Sequence, residues 1–162
     1  MGTADLPSRS PRESATIMTE HVLPQHTNVV GTTFGGTIMG WIDVCAAITA
    51  QRHARHVCVT ARIEAVEFRA PIRLGDVVTL EGRLNAAFGT SMEVGVTVYR
   101  EEAATCARVL CVDARATFVN VDADGRPAPV PALLLETDED RELAAEATAR
   151  RRARKAAKRA DG

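Results

Sequence analysis

The chain has 162 residues, of which 46% are hydrophobic and 25% charged, and its formal net charge is −1. This length suits one domain with a substantial core, and the composition is ordinary for a globular protein. The nearly balanced charge provides no overall basic field, so we expect no nucleic-acid partner. No apolar run reaches about 18 residues, so we expect no membrane span, and the start lacks the apolar core of a signal peptide.

The four cysteines lie in apolar segments, and none belongs to a C-x-x-C pair. They are Cys45, Cys58, Cys106 and Cys111. This pattern favours buried, reduced thiols over a disulfide framework or a zinc site. We therefore expect a cytoplasmic protein that binds no metal.

The first third of the chain is predicted to contain one long, fully buried helix. Residues 1–16 are rich in Pro, Ser and Arg and are predicted to be a disordered leader. Residues 17–23 are a candidate strand, and a polar loop over residues 24–33 follows. From residue 35 to about residue 53 a helix is predicted in which apolar side chains occupy every face. Such a helix must be buried on all sides, and a sheet wrapped around it is the simplest solution.

Four long strands are predicted after the helix, because apolar and polar residues alternate. They cover about residues 56–68, 77–87, 91–99 and 106–121. In the first, the alternation places Thr60, Arg62 and Glu64 on one face. Short turns favour an antiparallel meander over parallel crossovers. The order predicts an α+β hotdog fold over residues 17–135, in which one helix is wrapped by a curved sheet. Because such a sheet leaves an edge that a second subunit commonly covers, we expect at least a dimer.

Residues 136–162 are charged and are predicted to form a helix that ends in a basic tail. Glu146 and Arg150 stand four residues apart in the order that stabilises a helix. The ordinary interpretation of the basic residues that follow is a solvated helix face. A sharper hypothesis is that some of them bind a phosphate group of a ligand. Contact with RNA or a membrane is a third option, although no aromatic residues interleave the charges.

Asp43 is a single charge inside the apolar helix. Desolvating a carboxylate is costly, so such a residue has a partner or a function. From composition alone, Asp43 is either a structural partner of a buried arginine or a reactive group. Gly35 and Gly36 at the helix start either expose backbone N–H groups to a ligand or allow tight packing on the sheet.

Short motifs that recur in a fixed order carry a family resemblance. They are PQHTNVVG (24–31), FGG (34–36), WID (41–43), AQRH (50–53), FRAPI (68–72), GD (75–76), GTS (89–91), FV (118–119), GRP (125–127) and VP (130–131). Over about residues 23–133 the set resembles the acyl-coenzyme A thioesterases of the hotdog superfamily. The branch it resembles contains the bacterial YciA-type enzymes and the cytosolic, brain-type acyl-CoA hydrolases. The resemblance implies hydrolysis of fatty acyl-CoA to free acid and CoA. Coenzyme A is then part of the substrate, and no cofactor is needed.

The resemblance also implies roles for single residues. Asp43 corresponds to the catalytic acid of the helix, and Asn28 to the asparagine of the loop motif. In such hotdogs the site lies at the dimer interface, so Asn28 of one subunit would meet Asp43 of the other. Asn28 has a simpler interpretation as a turn residue. The expected substrate-binding residues are Phe34, Gly35, Thr60, Phe68, Arg69, Gly89, Thr90 and Ser91. Relatives often have lysine where this chain has Ala70, which leaves a phosphate contact from Arg69 open.

The chemistry of thioester hydrolysis fits these residues. Asp43 can activate water or attack the thioester to form an anhydride, and the sequence does not choose between them. The Gly36 N–H, near the positive end of the helix dipole, can stabilise the oxyanion. Two alternatives remain, a non-catalytic acyl-CoA-binding or sensor protein and a hotdog hydratase or dehydratase, although the D-x-N-P-x-H signature is absent. The expected partners are acyl-CoA and further copies of the chain, as a dimer and as a trimer of dimers.

Overall fold

The computed structural model describes residues 6–160, except for the side chain of Ala65. The helices in this range are α1 (Pro11–Ser14), α2 (Gly35–Ala54) and α3 (Asp138–Ala160), with a 3₁₀ turn over Pro24–His26. The strands are β1 (Thr16–His21), β2 (Cys58–Phe68), β3 (Val77–Phe88), β4 (Ser91–Glu101) and β5 (Arg108–Asn120). The predicted α+β class is confirmed. No helix within this range is both long and apolar enough to cross a membrane.

The five strands form one antiparallel sheet in the order β1-β3-β4-β5-β2. Strands β3, β4 and β5 are consecutive neighbours, as expected for a meander with short turns. Strand β2 follows the helix and pairs with β5, so β2 and β1 form the two edges. One chain therefore leaves unpaired backbone groups along both edges.

Helix α2 packs on the inner face of the sheet, and Gly82 of β3 allows its close approach. Ile42, Cys45 and Ala46 are fully buried at this contact. A methyl group at Gly82 would collide with the Thr49 hydroxyl and would lie 3.0 Å from Cys45 Sγ. The missing side chain thus lets the helix lie directly on the strand.

The other side of α2 is open, so the prediction that this helix is buried on all sides is wrong for one chain. Met39 and Val44 are 39% and 50% exposed, and the exposed Gly36 and Gly40 share this side with them. A helix with its side chains is about 10 Å across, and the sheet of one chain covers only one side of it. Another surface is needed to cover the rest.

Strand β2 contains a bulge that its sequence does not reveal. Thr60 pairs with Phe118 and Arg62 pairs with Thr117, so Ala61 is an extra residue in the ladder. Thr60 therefore faces α2 together with the buried Phe118, whereas Arg62 faces the outer side. The prediction that Thr60 and Arg62 share a face is wrong, because strict alternation holds only without a bulge.

The start of the described chain is ordered, which corrects part of the predicted leader. Ser10 caps α1 in a reciprocal capping box, and Ser14 is fully buried. Strand β1 already begins at Thr16. The prediction of disorder is therefore wrong for residues 9–16. Amino-acid composition does not reveal that a small polar residue caps a helix or is buried. The prediction for residues 1–5 lies outside the described residues.

Helix α3 lies on the outer face of the sheet, opposite α2. Its Arg150 donates to the buried carboxylate of Glu93 at 2.7 Å. The same carboxylate accepts a hydrogen bond from Asn85 at 3.2 Å. A buried charge of this kind needs a partner, and Arg150 supplies it, so the ion pair fixes the helix on the sheet.

Candidate active site

Asp43 lies on the open side of α2, where the side chain of Thr60 holds it. The Thr60 hydroxyl donates a hydrogen bond to Asp43 Oδ1 at 2.8 Å. The bulge at Ala61 makes this contact possible, because it turns Thr60 toward the helix. Asp43 is half-buried and Thr60 is exposed, so water or a ligand can reach the carboxylate. No arginine forms a salt bridge with Asp43 in the part of the chain that the structure describes, so the alternative of a buried arginine partner has no support.

The N-terminus of α2 presents backbone N–H groups that the helix does not use. Phe34 is the N-cap residue, and its side chain makes no capping hydrogen bond. The N–H groups of the first turn, including those of Gly35 and Gly36, have no acceptor within the helix. A methyl group at Gly36 would meet nothing within 4 Å. The space beside this donor is therefore open, and the helix dipole favours negative charge there.

Within one chain, Asp43 and Gly36 lie on the same side of α2 but about two turns apart. A rise of about 1.5 Å per residue over seven residues separates their backbones by about 10 Å. A nucleophile attacks a carbonyl carbon from about 3 Å, and an oxyanion donor lies about 3 Å from the oxygen. The Asp43 side chain also extends from the backbone and tilts toward the helix start, so this separation by itself does not require a second chain.

Asn28 organises the loop that precedes α2. Its side-chain oxygen accepts the N–H groups of Val30 at 3.0 Å and Thr32 at 3.2 Å, and its amide donates to Thr32 Oγ1 at 2.8 Å. Gly31 completes the turn with a φ of 77°, a value that favours glycine. This geometry matches the simpler interpretation of Asn28 as a turn residue. Among the described residues, nothing accepts its second amide N–H, and no hydrogen bond joins it to Asp43.

A cavity of about 280 Å³ lies between this loop, the start of α2 and the end of β2. Its lining includes Phe68 and Arg69. The Phe68 ring packs beside the helix start, since a methyl group at Gly35 would be 3.6 Å from its Cζ atom. Arg69 is half-exposed and pairs with Glu67 at 3.0 Å. The exposed ring of Phe34 lies at the same end of the helix.

The turn of Gly89, Thr90 and Ser91 lies at the other end of β2. Ser91 pairs with Val119, which pairs with Val59 near the start of β2. Phe68 is at the end of that strand, and the nine residue-to-residue steps from Val59 to Phe68 span about 30 Å. The predicted substrate-binding residues thus form two groups in one chain: Phe34, Gly35, Phe68 and Arg69 at one end, and Thr60, Gly89, Thr90 and Ser91 at the other.

The cysteines are poor candidates for a nucleophile. Burial raises the pKa of the Cys45 and Cys58 thiols to about 11, so both are protonated at neutral pH. Cys111 is also buried, but Cys106 is exposed in the turn between β4 and β5, which corrects the prediction that all four are buried. Within residues 6–160 no cluster of three His, Cys, Asp or Glu side chains has the geometry to hold a metal ion.

Sequence reasoning missed two residues that shape the site. The Thr32 hydroxyl accepts a hydrogen bond from the side-chain amide of Asn28. Ala61 is the extra residue of the bulge in β2, next to Thr60, which faces Asp43. Asparagine commonly bonds to backbone two residues on in a turn, so the N-x-x-G stretch could have indicated the local fold around Thr32. No sequence signal marks the bulge, because small residues such as Ala61 occur on both faces of strands.

Comparison with known proteins places this geometry in a family. The model of the "Thioesterase superfamily" matches residues 30–107. Over 129 residues the chain is 41% identical to YkhA of Bacillus subtilis (strain 168), which is named an uncharacterized acyl-CoA thioester hydrolase. The match includes 80% of this chain and 75% of YkhA. The chain belongs to the acyl-CoA thioester hydrolase family. It is also 33% identical over 120 residues to the cytosolic acyl coenzyme A thioester hydrolase of Rattus norvegicus, with 73% of this chain matched, but it spans only 32% of that protein.

Solved structures share the fold of this family member. An apo-hexameric acyl-CoA thioesterase is 41% identical, with a TM-score of 0.88 over 96% of this chain and 98% of that one. An acyl-CoA hydrolase of Staphylococcus aureus, solved with butyryl coenzyme A, coenzyme A and coenzyme A disulfide, is 35% identical, with a TM-score of 0.88 over 96% and 94%. Further structures of that hydrolase carry alanine in place of an asparagine, an aspartate or a threonine. The predicted hotdog fold and family resemblance are confirmed.

Proposed function

We propose that this chain hydrolyses acyl-CoA thioesters with the Asp43 carboxylate as general base or nucleophile. The hydrogen bond of 2.8 Å from Thr60 to Asp43 Oδ1 is the observation that carries the proposal. It orients a carboxylate that is accessible on a helix face and has no cationic partner in the described chain. Such a group can activate water or attack a thioester carbon. The relatives named as acyl-CoA hydrolases support this assignment.

Attack on the thioester carbon shifts the carbonyl electron pair to oxygen, and we propose that the Gly36 N–H stabilises this oxyanion. If Asp43 is the base, it takes a proton from the attacking water. If it is the nucleophile, it forms a mixed anhydride that water then hydrolyses. In both cases the C–S bond breaks and the CoA thiolate leaves without a strong general acid. The second amide N–H of Asn28 is proposed to bind the carbonyl or the water.

The working site is proposed to combine two chains. The open side of α2, which contains Asp43, supports this, as does the bare tip of the Asn28 loop, where Val29 and Val30 are 104% and 77% exposed. Asn28 and the helix start of one chain would then meet Asp43 and Thr60 of another. The hexameric relative supports a trimer of dimers as the assembly.

The acyl-CoA substrate is proposed to bind along residues of both groups defined above, with the 89–91 turn along its coenzyme A part: Phe34, Gly35, Thr60, Phe68, Arg69, Gly89, Thr90 and Ser91. Coenzyme A is substrate and product here, so the proposal includes no cofactor. Residues 17–135 are the proposed thioesterase domain, to which residues 9–16 add one turn of helix, and residues 136–162 are a charged extension. A cytoplasmic location is proposed from the cytosolic relative.

The test is free-thiol release from acyl-CoAs ranging from acetyl-CoA to palmitoyl-CoA, for wild type and Asp43→Asn. We expect turnover by wild type and a loss of about a hundredfold or more in kcat for the variant. The variant should fold normally, since Asp43 is half-buried and Thr60 is its one side-chain partner in the described chain, and circular dichroism checks this. The protein's own thiols, above all the exposed Cys106, must be subtracted.

Two outcomes would contradict the proposal. Full activity of Asp43→Asn would place the reactive group elsewhere. Binding of acyl-CoA by wild type without thiol release from any member of the series would instead identify a non-catalytic acyl-CoA-binding protein.

A further inference from the structure

A basic groove lies between α3 and the outer face of the sheet, beside the start of β2. Its cations are Arg62, Arg151, Arg154, Lys155 and Lys158, and its remaining lining residues are Ala61 and Thr117. Its volume is about 250 Å³. The groove is separate from the cavity at the start of α2 and contains none of the residues assigned above to catalysis.

Ion pairs within the fold use only part of this charge. Glu64 lies 2.6 Å from Arg154 and 3.4 Å from Arg62, so one carboxylate serves two cations. Neither Lys155 nor Lys158 has a salt bridge in the described chain. Like charges held in one concave site repel each other, and a positive potential of this kind attracts anions. Docking of α3 does not explain Lys155 and Lys158, because Arg150 and Arg154 already pair with the sheet.

The cations of α3 that line the groove share one helix face. Residues 151, 155 and 158 follow the spacing of three and four that aligns side chains on a helix. Arg152 and Arg159 are similarly basic and exposed, but they do not line the groove. The basic tail is therefore not uniform around the helix, and these two arginines provide a matched comparison.

The lining of the groove favours phosphate over a base or an apolar group. Arginine binds phosphate oxygens through two parallel N–H groups, and lysine adds point charges. None of the described aromatic residues lines the groove, and the guanidinium of Arg151 lies over one face of the nearby Phe88 ring at 4.7 Å. Binding of single-stranded nucleic acid usually relies on stacking of bases on aromatic rings.

The groove borders the proposed active site through the bulge in β2. Ala61 lines the groove on the outer face of the sheet. It directly follows Thr60, which lies on the inner face and donates to Asp43. Arg151 covers Phe88, the residue before the Gly89 turn. The bulge thus places both Ala61 and Arg62 at the groove, directly after Thr60 on the side of the reactive carboxylate.

We propose that the basic groove binds the phosphate groups of a nucleotide. Two sources share this chemistry: the phosphorylated adenosine end of an acyl-CoA, and a free adenine nucleotide that acts as an effector. The first source rests on the proposed thioesterase function, whereas the second does not. Phosphate contacts predict binding that weakens with salt and is lost when the phosphates are removed.

Direct binding tests the site independently of activity. Calorimetry would measure adenosine 3′,5′-bisphosphate, ADP and adenosine with wild type, Lys155→Glu/Lys158→Glu and the charge-matched Arg152→Glu/Arg159→Glu. We expect the groove variant to bind the phosphorylated ligands about tenfold more weakly, and the matched control to stay within about twofold of wild type. Adenosine should not bind. The neutral pair Lys155→Gln/Lys158→Gln serves if the charge reversals disturb folding.

Kinetics with acyl-CoA and acyl-3′-dephospho-CoA distinguish the two sources. If the substrate occupies the groove, the groove variant raises KM for acyl-CoA about tenfold and affects the dephospho substrate much less. If a free nucleotide is the ligand, the groove variant changes nucleotide binding and leaves the KM ratio of the two substrates at its wild-type value.

Two results would overturn the proposal. One is equal nucleotide binding by the groove variant and the control. The other is a wild type that binds an RNA oligonucleotide but none of the phosphorylated nucleotides. A wild type that binds nucleotide but releases no thiol would refute only the thioesterase function.

Discussion

At the residue scale, the proposed chemistry depends on one contact, the hydrogen bond of 2.8 Å from the Thr60 hydroxyl to Asp43 Oδ1. A single carboxylate in an apolar helix is conspicuous, so the sequence indicates Asp43. Its contact with Thr60 depends on the extra residue Ala61 in β2, and that bulge has no signature in the alternation. Asn28 was predictable as a loop residue, but pattern does not separate its turn role from the proposed ligand contact, because one side-chain amide shapes the turn and has a second N–H that no described residue accepts.

Thr60 is expected to position Asp43, and Thr60→Val tests this at the same scale. The change removes the hydroxyl that donates to Asp43 Oδ1 at 2.8 Å but keeps the shape of the side chain. A hydrogen bond to a charged group contributes about 1.5–3 kcal/mol, so kcat should fall about tenfold or more while KM changes little. Thr60→Ser should restore most of the activity. A rise in KM at constant kcat would show instead that Thr60 contacts the substrate.

At the scale of elements, hydrophobic periodicity predicted the strands well because each has one face against α2. Predicted and observed ends of β3 and β4 agree within two residues, and the start of α2 agrees at Gly35. Periodicity failed where local polar contacts decide the structure. The capping box of α1 and the cap of α3 at Thr137 belong to this class, since both rest on side chains that bond to backbone.

Asp140 holds the start of α3 and gives the fold a dependence on acid. Its carboxylate accepts the N–H groups of Glu136 and Thr137, each at 2.9 Å, and pairs with Arg83. Burial on its own would raise the pKa of Asp140, but these hydrogen bonds outweigh burial and lower the pKa to about 2. The folded state therefore binds this proton less readily than the unfolded state. The carboxylate stabilises the fold above about pH 4 and loses this effect as the pH falls toward 2.

Asp140→Asn should accordingly lower the free energy of unfolding by about 1–2 kcal/mol at neutral pH. The difference from wild type should shrink as the pH falls from about 4 to about 2. Urea denaturation followed by circular dichroism measures both effects. Asp138→Asn is the control, because the Asp138 side chain is 96% exposed and, among residues 6–160, pairs only with Arg141 at 2.9 Å. A difference that stayed constant over this pH range would contradict the role of the Asp140 carboxylate.

At the scale of the whole molecule, one chain presents the parts of the proposed site but does not assemble them. Asp43 and Thr60 lie together on α2 and β2, whereas Asn28 stands on a loop with a bare apolar tip. A sequence pattern reports that α2 is apolar on every side, but it does not report which molecule covers each side. The prediction of complete burial was wrong for one chain for this reason, and the uncovered side is the one that contains Asp43.

Mixing inactive variants tests whether two chains share one site. Asp43→Asn and Asn28→Ala, coexpressed with different tags, form mixed dimers in which one of the two sites keeps both residues. Random pairing makes half of the dimers mixed, so thiol release should recover to about a quarter of the wild-type rate. Each variant alone should remain nearly inactive, which sets the baseline.

The matched control mixes Asp43→Asn with Thr60→Val. These two residues are hydrogen-bonded within one chain, so every site in a mixed dimer contains one of the two changes. No recovery above the average of the separate variants is expected. Recovery in the control but not in the test mixture would mean that Asn28, rather than Thr60, acts on Asp43 of its own chain. The comparison thus reads out directly which contacts form within a chain and which form between chains.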